Sequence, residues 1–323
     1  GIGSLANAAG TQTVVVGRQA HSDANSENSV AIGQGAHAGG QKRANDPYSA
    51  STIAIGNVAH AMENGDITIG RQATSSVSKY HNQEGSGAVV MGAEAHSYGS
   101  RGDVVIGSGA EASIIRKSVT NPDDHPEYSQ GTAIGSMAKV YGTQSIGIGG
   151  DVRAIGHSSI AIGGDDIETA KPDLNTVVPD MAVAGTQKNF NRELGDTNTV
   201  GFDMTDGATS GTKSAALGVE NKVYGSNSYA IGDGNTIGSA TITETTETNG
   251  DKIKKVTAGT IKGNTAGAFG NKNTITTDNA YAVGNNSTAS ADGAMILGST
   301  ASVTGKNGVA LGNNTKVANE NAV

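Results

Sequence analysis

Between residues 267 and 317 the chain says nearly the same thing four times: Gly267-Ala268-Phe269-Gly270, Tyr281-Ala282-Val283-Gly284, Met295-Ile296-Leu297-Gly298 and Val309-Ala310-Leu311-Gly312. Each closing glycine follows the last by 14 residues. Between glycines comes a polar step and then a short alternating segment: Asn273-Thr274-Ile275, Ser287-Thr288-Ala289, Ala301-Ser302-Val303, Thr315-Lys316-Val317. A short fixed period of this kind marks a solenoid, in which one repeat is one coil that cannot bury its apolar face alone.

Working outward, the glycine after an apolar triplet recurs from Gly3 through Gly17, Gly33 and Gly56 to Gly163. It becomes hard to follow at Gly185 and Gly201 and returns at Gly218 and Gly232. Eight of the seventeen intervals equal 14 and none is shorter, which is the signature of a minimum coil with insertions. Ile2-Gly3 reads as the tail of a triplet, and Val323 stops three short of the next expected glycine. Both ends thus cut through coils in register, and a longer parent chain is expected.

The composition fits narrow layers better than a wide core. Of 323 residues 48 are Gly, none is Trp and three are Phe, and only 35% are hydrophobic. That supplies a few small or branched side chains per coil. Cysteine is absent, which excludes disulfides and thiolate metal sites. A net charge of −8 without a basic block argues against nucleic acid or anionic lipid as the main partner. No run approaches the roughly 20 apolar residues of a membrane helix.

Each coil reads as two short strands. In the first, exemplified by Val30-Ala31-Ile32-Gly33, side chains alternate between faces, and both faces are apolar. A strand apolar on both faces is normally buried on both sides. A coil has one interior, so the second face needs cover from sister chains. The small residues Ala31, Ala54, Ala161 and Ala310 are expected to line that contact and let three chains approach a common axis. The second strand begins three residues past the glycine, as in Ala36-His37-Ala38, with a small inward face and a polar face toward water. The inward slot is Ala in the first half (Ala20, Ala36, Ala59) and often Asn in the second (Asn221, Asn235, Asn273), where stacked amides could form a ladder.

Long insertions leave the coil just past the second strand, at residues 39–51, 76–87, 113–130 and 238–266. Loops inserted at a fixed coil position emerge along one edge. The last reads as a hairpin turning at Asn249-Gly250, a type I′ signal, with Glu247 opposite Lys252 and Glu244 opposite Lys255. A helix is expected near residues 189–194. The expected organisation is repeats over 1–164, a degenerate inserted segment over 165–213, and repeats again over 214–323.

Asn28-Ser29-Val30-Ala31-Ile32-Gly33 matches letter for letter the head repeat of the YadA-like trimeric autotransporter adhesins. Residues 159–163 and 308–312 come close. The chain resembles that family over residues 1–163 and 214–323. The resemblance implies an all-β fold: a trimer of left-handed parallel β-rolls with 14-residue coils. It implies an extracellular head held on a Gram-negative outer membrane by a stalk and anchor. It also implies attachment to host matrix proteins, host-cell receptors, glycans or other bacteria. A passive spacer is the alternative reading, and a β-solenoid carbohydrate-active enzyme is a more distant one that the short period disfavours. No catalytic residue, cofactor or metal is assigned.

Exposed loops on a rigid scaffold commonly carry recognition, and Tyr and Arg are the usual anchors. The candidates for partner contact are therefore Tyr48, Tyr80, His81, Arg116, Lys117, His125 and Tyr128. His21, His37, His60 and His96 each fall four past a reference glycine and form an exposed ladder. Such a ladder could sense pH or bind metal. Lys139, Glu111 and Thr74 share the slot, however, so a solvated position tolerant of polar residues is the reading preferred here.

Overall fold

The computed structural model describes residues 1–24, 26–39, 51–75, 87–98, 102–112, 130–164, 199–200, 211–239, 241–246, 252–257 and 259–323. Among these there is no helix. The chain falls into two compact units, one ending at Gly150 and the other starting its main run at Asp151. The helix expected near 189–194 lies outside the described residues.

Each unit is built from two parallel ladders whose strands alternate along the chain. In the first unit the triplet strands Val14–Val16, Val30–Ile32, Ile53–Ile55 and Ile67–Ile69 pair in order and continue to Ile146–Ile148. The short strands His21–Ser22, His37–Ala38, His60–Ala61 and Thr74–Ser75 pair in a second ladder. The second unit repeats the arrangement, from Ile160–Gly164 to Val309–Leu311 and from Arg153–Ala154 to Lys316–Val317. At its end the partners are Tyr281 with Met295 and Met295 with Val309, fourteen positions apart.

The core is a column of thin layers, one per coil. Each layer takes the middle residue of the triplet, the residue three past the glycine and the residue five past it. Ala31, Ala36 and Ala38 form one layer, and Ala54, Ala59 and Ala61 the next, all without solvent exposure. In the second unit volumes trade within a layer: Ala230 and Asn235 accompany Ile237, whereas Ile296 accompanies Ala301 and Val303. Close packing at constant width requires such compensation.

This arrangement corrects the expected direction of the triplet. Ala31, Ala54, Ala161 and Ala310 are fully buried inside their own coil and cannot line a contact between chains. The middle residue of the triplet faces the coil interior whatever its size, as the buried Val15, Thr68, Val90 and Val105 show beside Ala20, Ala73, Ala95 and Ala110. The residues on either side of it turn outward.

The reference glycines are required by the stacking itself. Gly33 has φ +131°, and a Cβ there would collide with the backbone carbonyl of Gly56 in the next coil. The same relation links Gly17 to Gly33 and Gly56 to Gly70. A second backbone demand falls two residues past the glycine, where φ is again positive: Gln19, Val58, Gln72 and Met137 lie between 56° and 59°. Side-chain type does not announce this position, since any L-residue there bears the left-handed cost.

Residues 242–246 and 252–256 pair as an antiparallel hairpin, as expected, but in a different register. Glu244 lies opposite Lys254 rather than Lys255, and Lys252 opposite Thr246 rather than Glu247. Partner numbers sum to an even total, so the connection after Thr246 has an odd number of residues. A two-residue Asn249-Gly250 turn would have forced the other register.

Candidate functional site

Two surfaces carry chemistry. The first is the outer face of the triplet ladder. In the first unit Val16, Ile32, Ile55, Ile69, Met91, Ile106, Ile134 and Ile148 are successive partners, and all are at least partly exposed. In the second unit Ile231, Phe269, Val283, Leu297 and Leu311 are successive partners and all exposed. Beside them Tyr281 partners Met295, and Tyr229 stands on the far side of Gly267. Contiguous apolar surface beyond roughly 300–600 Å² is unusual on a monomer and marks a contact face. Repetition creates this face: each coil adds one outward residue to each column, stacked at about 4.8 Å.

The second surface is the short-strand ladder. In the first unit it presents Asn7, His21, His37, His60, Thr74, His96, Glu111 and Lys139 in register. His21 stacks on His37 with ring centroids 3.9 Å apart, and His60 meets His37 edge-on at 5.9 Å. His96 stacks on Tyr98 at 5.4 Å instead, because Thr74 separates it from the other three. The ladder was expected to be exposed, but all four histidines are half-buried, each shaded by the coils above and below. Burial, with His37 and His21 adding like charge, lowers the pKa of His60 below its ordinary value.

Glu111, in the same slot, is buried. Its Oε2 accepts from the Lys139 Nζ at 3.0 Å, and that ammonium also donates to the Gly109 carbonyl at 2.9 Å. The slot therefore accepts polar residues by pairing them between coils as well as by solvation.

Sequence reasoning missed Asp23. It lies two past His21, off the ladder slot, yet its Oδ1 stands 2.9 Å from the Nε2 of His37. One donor atom each from His21, Asp23 and His37 lie within 4.8 Å of one another. The signal was the His-x-Asp spacing at the end of one short strand with a histidine at the equivalent slot of the next coil.

The expected amide ladder is present. The Asn235 Nδ2 donates to the Asn221 Oδ1 at 2.9 Å, and the Asn273 Nδ2 to the Asn235 Oδ1 at 3.1 Å. Each amide also donates forward to a reference-glycine carbonyl: Asn221 to Gly232, Asn235 to Gly270 and Asn273 to Gly284, at 2.6–2.7 Å. All three side chains are fully buried and satisfied, as buried amides must be. Buried carboxylates serve backbone amides in a similar way. The Asp66 oxygens accept from the Glu63 and Ala88 N–H groups at 3.0 and 2.9 Å.

The loop candidates Tyr48, Tyr80, His81, Arg116, Lys117, His125 and Tyr128 lie outside the described residues. Their points of departure do not. Strands His37–Ala38, Thr74–Ser75 and Glu111–Ala112 come just before the first three inserted stretches, and Thr236–Ile237 just before the fourth. All four belong to the short-strand ladders.

Among the described residues, helix-free stacks of two parallel ladders define an all-β fold of the β-solenoid kind. The YadA head domain repeat matches residues 24–41, 129–151, 210–235, 278–295 and 297–323. These matches fall in both units and support a YadA-like head domain of the trimeric autotransporter adhesin class. That class is one of adhesins and not of enzymes. No curated protein matches the chain.

Proposed function

We propose that this chain is the head of an extracellular bacterial adhesin. It assembles as a homotrimer of left-handed β-rolls with 14-residue coils and attaches its cell to a host or bacterial surface through its inserted loops. The observation that carries the assembly is the outward apolar face of the triplet ladder, whose column in the second unit runs through Leu297 to Leu311. Three copies around an axis cover that face without leaving an open edge. The loop roots, on the other ladder, then face away from the axis.

Attachment follows from placement and number. Four inserted stretches leave each chain from the short-strand ladders, so a trimer offers three copies of each. Simultaneous contacts raise avidity far above the affinity of one loop, provided the target sites are spaced to match. The loop residues Tyr48, Tyr80, His81, Arg116, Lys117, His125 and Tyr128 supply aromatic and charged anchors of the kind that dominate interfaces. Matrix protein, cell receptor, glycan and a second bacterial surface are the target classes. A stalk and outer-membrane anchor elsewhere in the parent protein would hold the head at the cell surface.

The test is attachment by trimers lacking residues 113–130, against arrays of matrix proteins, glycans and cells. Reduced attachment with unchanged melting supports a recognition role. Unchanged attachment after removal of each of the four loops in turn would leave the head as a spacer.

A further inference from the structure

We propose that His21, Asp23 and His37 form a binding site for a divalent transition-metal ion of the zinc type, clamping two adjacent coils at the root of the first inserted loop. The site is independent of what the loops recognise. Its parts come from neighbouring strands. His21 and His37 are direct partners across the short-strand ladder, and Asp23 follows His21 by two residues.

The donors are already gathered. The carboxylate Oδ1 and the His37 Nε2 are 2.9 Å apart, and the trio of donor atoms falls within 4.8 Å. Ligand atoms around a tetrahedral ion bonded at about 2.0–2.1 Å stand about 3.3 Å from one another. Small side-chain rotations close the remaining gap, and Asp23, with 45% of its side chain exposed, is free to make them. The His21 Nδ1 lies 3.4 Å from the Gln19 carbonyl. A proton donated there leaves the lone pair on its Nε2, the way an outer hydrogen bond fixes a ligand's tautomer.

Space is provided by a missing side chain. Gly39 is buried beside the trio, and a Cβ there would sit 3.2 Å from the Asp23 Oδ2 and 3.3 Å from the His37 Nε2. A side chain there would press on two of the three ligands and on the Met62 sulfur, 3.4 Å away. Two imidazoles and one carboxylate favour zinc, nickel or copper over calcium and magnesium, which prefer all-oxygen sites. Water completes the coordination on the open side.

The experiment is titration of the chelator-treated full chain with zinc chloride by calorimetry, beside His37→Gln, Asp23→Asn and His96→Gln. The slot holds Thr74 and Lys139 in other coils, so the glutamine substitutions are compatible with the fold. One ion per chain is expected, with affinity at least about tenfold lower in H37Q and D23N and unchanged in H96Q. Zinc should also raise the melting temperature of the unsubstituted chain and not that of H37Q. Absence of saturable zinc binding, or full affinity retained in H37Q or D23N, overturns the proposal.

Discussion

Leu297 lies directly opposite Leu311 across adjacent triplet strands, and each is 57% exposed. Between the two residues the chain makes one complete coil, burying Ala301 and Val303 on the way. The coil thus turns one sequence repeat into two products: a thin internal layer and one rung of an external apolar column.

The internal layer has no spare volume. Ala31→Leu should cost about 1–3 kcal/mol through overpacking against Ala36 and Ala38, read as a lower urea midpoint. Assembly should survive under native conditions, because the side chain points away from the outer columns. Loss of association without loss of stability would place Ala31 on the wrong face.

Gly33→Ala should be more damaging than an exposed glycine substitution elsewhere. It combines a φ of +131° with a collision against the Gly56 backbone. The expected loss is about 2–4 kcal/mol by chemical denaturation. A neutral result would mean that adjacent coils stack less closely than described.

Asn235→Ala isolates the amide ladder, because alanine fills the same slot in the first unit at Ala36 and Ala59. Sterically the change is harmless, while the Asn221 Oδ1 and the Gly270 carbonyl each lose a donor. A cost of about 1–3 kcal/mol is expected. Asn235→Asp should cost more, since its oxygen would face those acceptors.

Val58→Asn should stabilise. Val58 holds φ +56°, where a β-branched residue is strained, and Asn286 and Asn314 occupy the equivalent place at 52° and 56°. The gain should approach about 1 kcal/mol, measured as a raised urea midpoint.

Much of this was legible in the sequence. The glycine period located the coils, the alanine and asparagine slots were correctly placed inward, and the stretch from Thr241 to Val256 was correctly read as a hairpin but in the wrong register. The face of the triplet was not legible. Val30-Ala31-Ile32 is apolar on both sides, so alternation alone cannot say which side is the interior. Coil width decides it, and width depends on what stands opposite. The left-handed position at Val58 was hidden because Gly, Asn, Gln and Met all occur there. Asp23 was missed because its partner His37 belongs to the next coil, and periodic reading compares like slots rather than diagonal ones.

The most direct measurement is the solution mass of the chain by light scattering, with and without Leu297→Asp and Leu311→Asp together. At 32.2 kDa per chain, three chains make 3 × 32.2, about 97 kDa. The unsubstituted chain should have that mass, and the double variant should shift toward 32.2 kDa while keeping its β-sheet spectrum. A folded monomer of the unsubstituted chain, or an undisturbed trimer of the double variant, would contradict assembly through the outward columns.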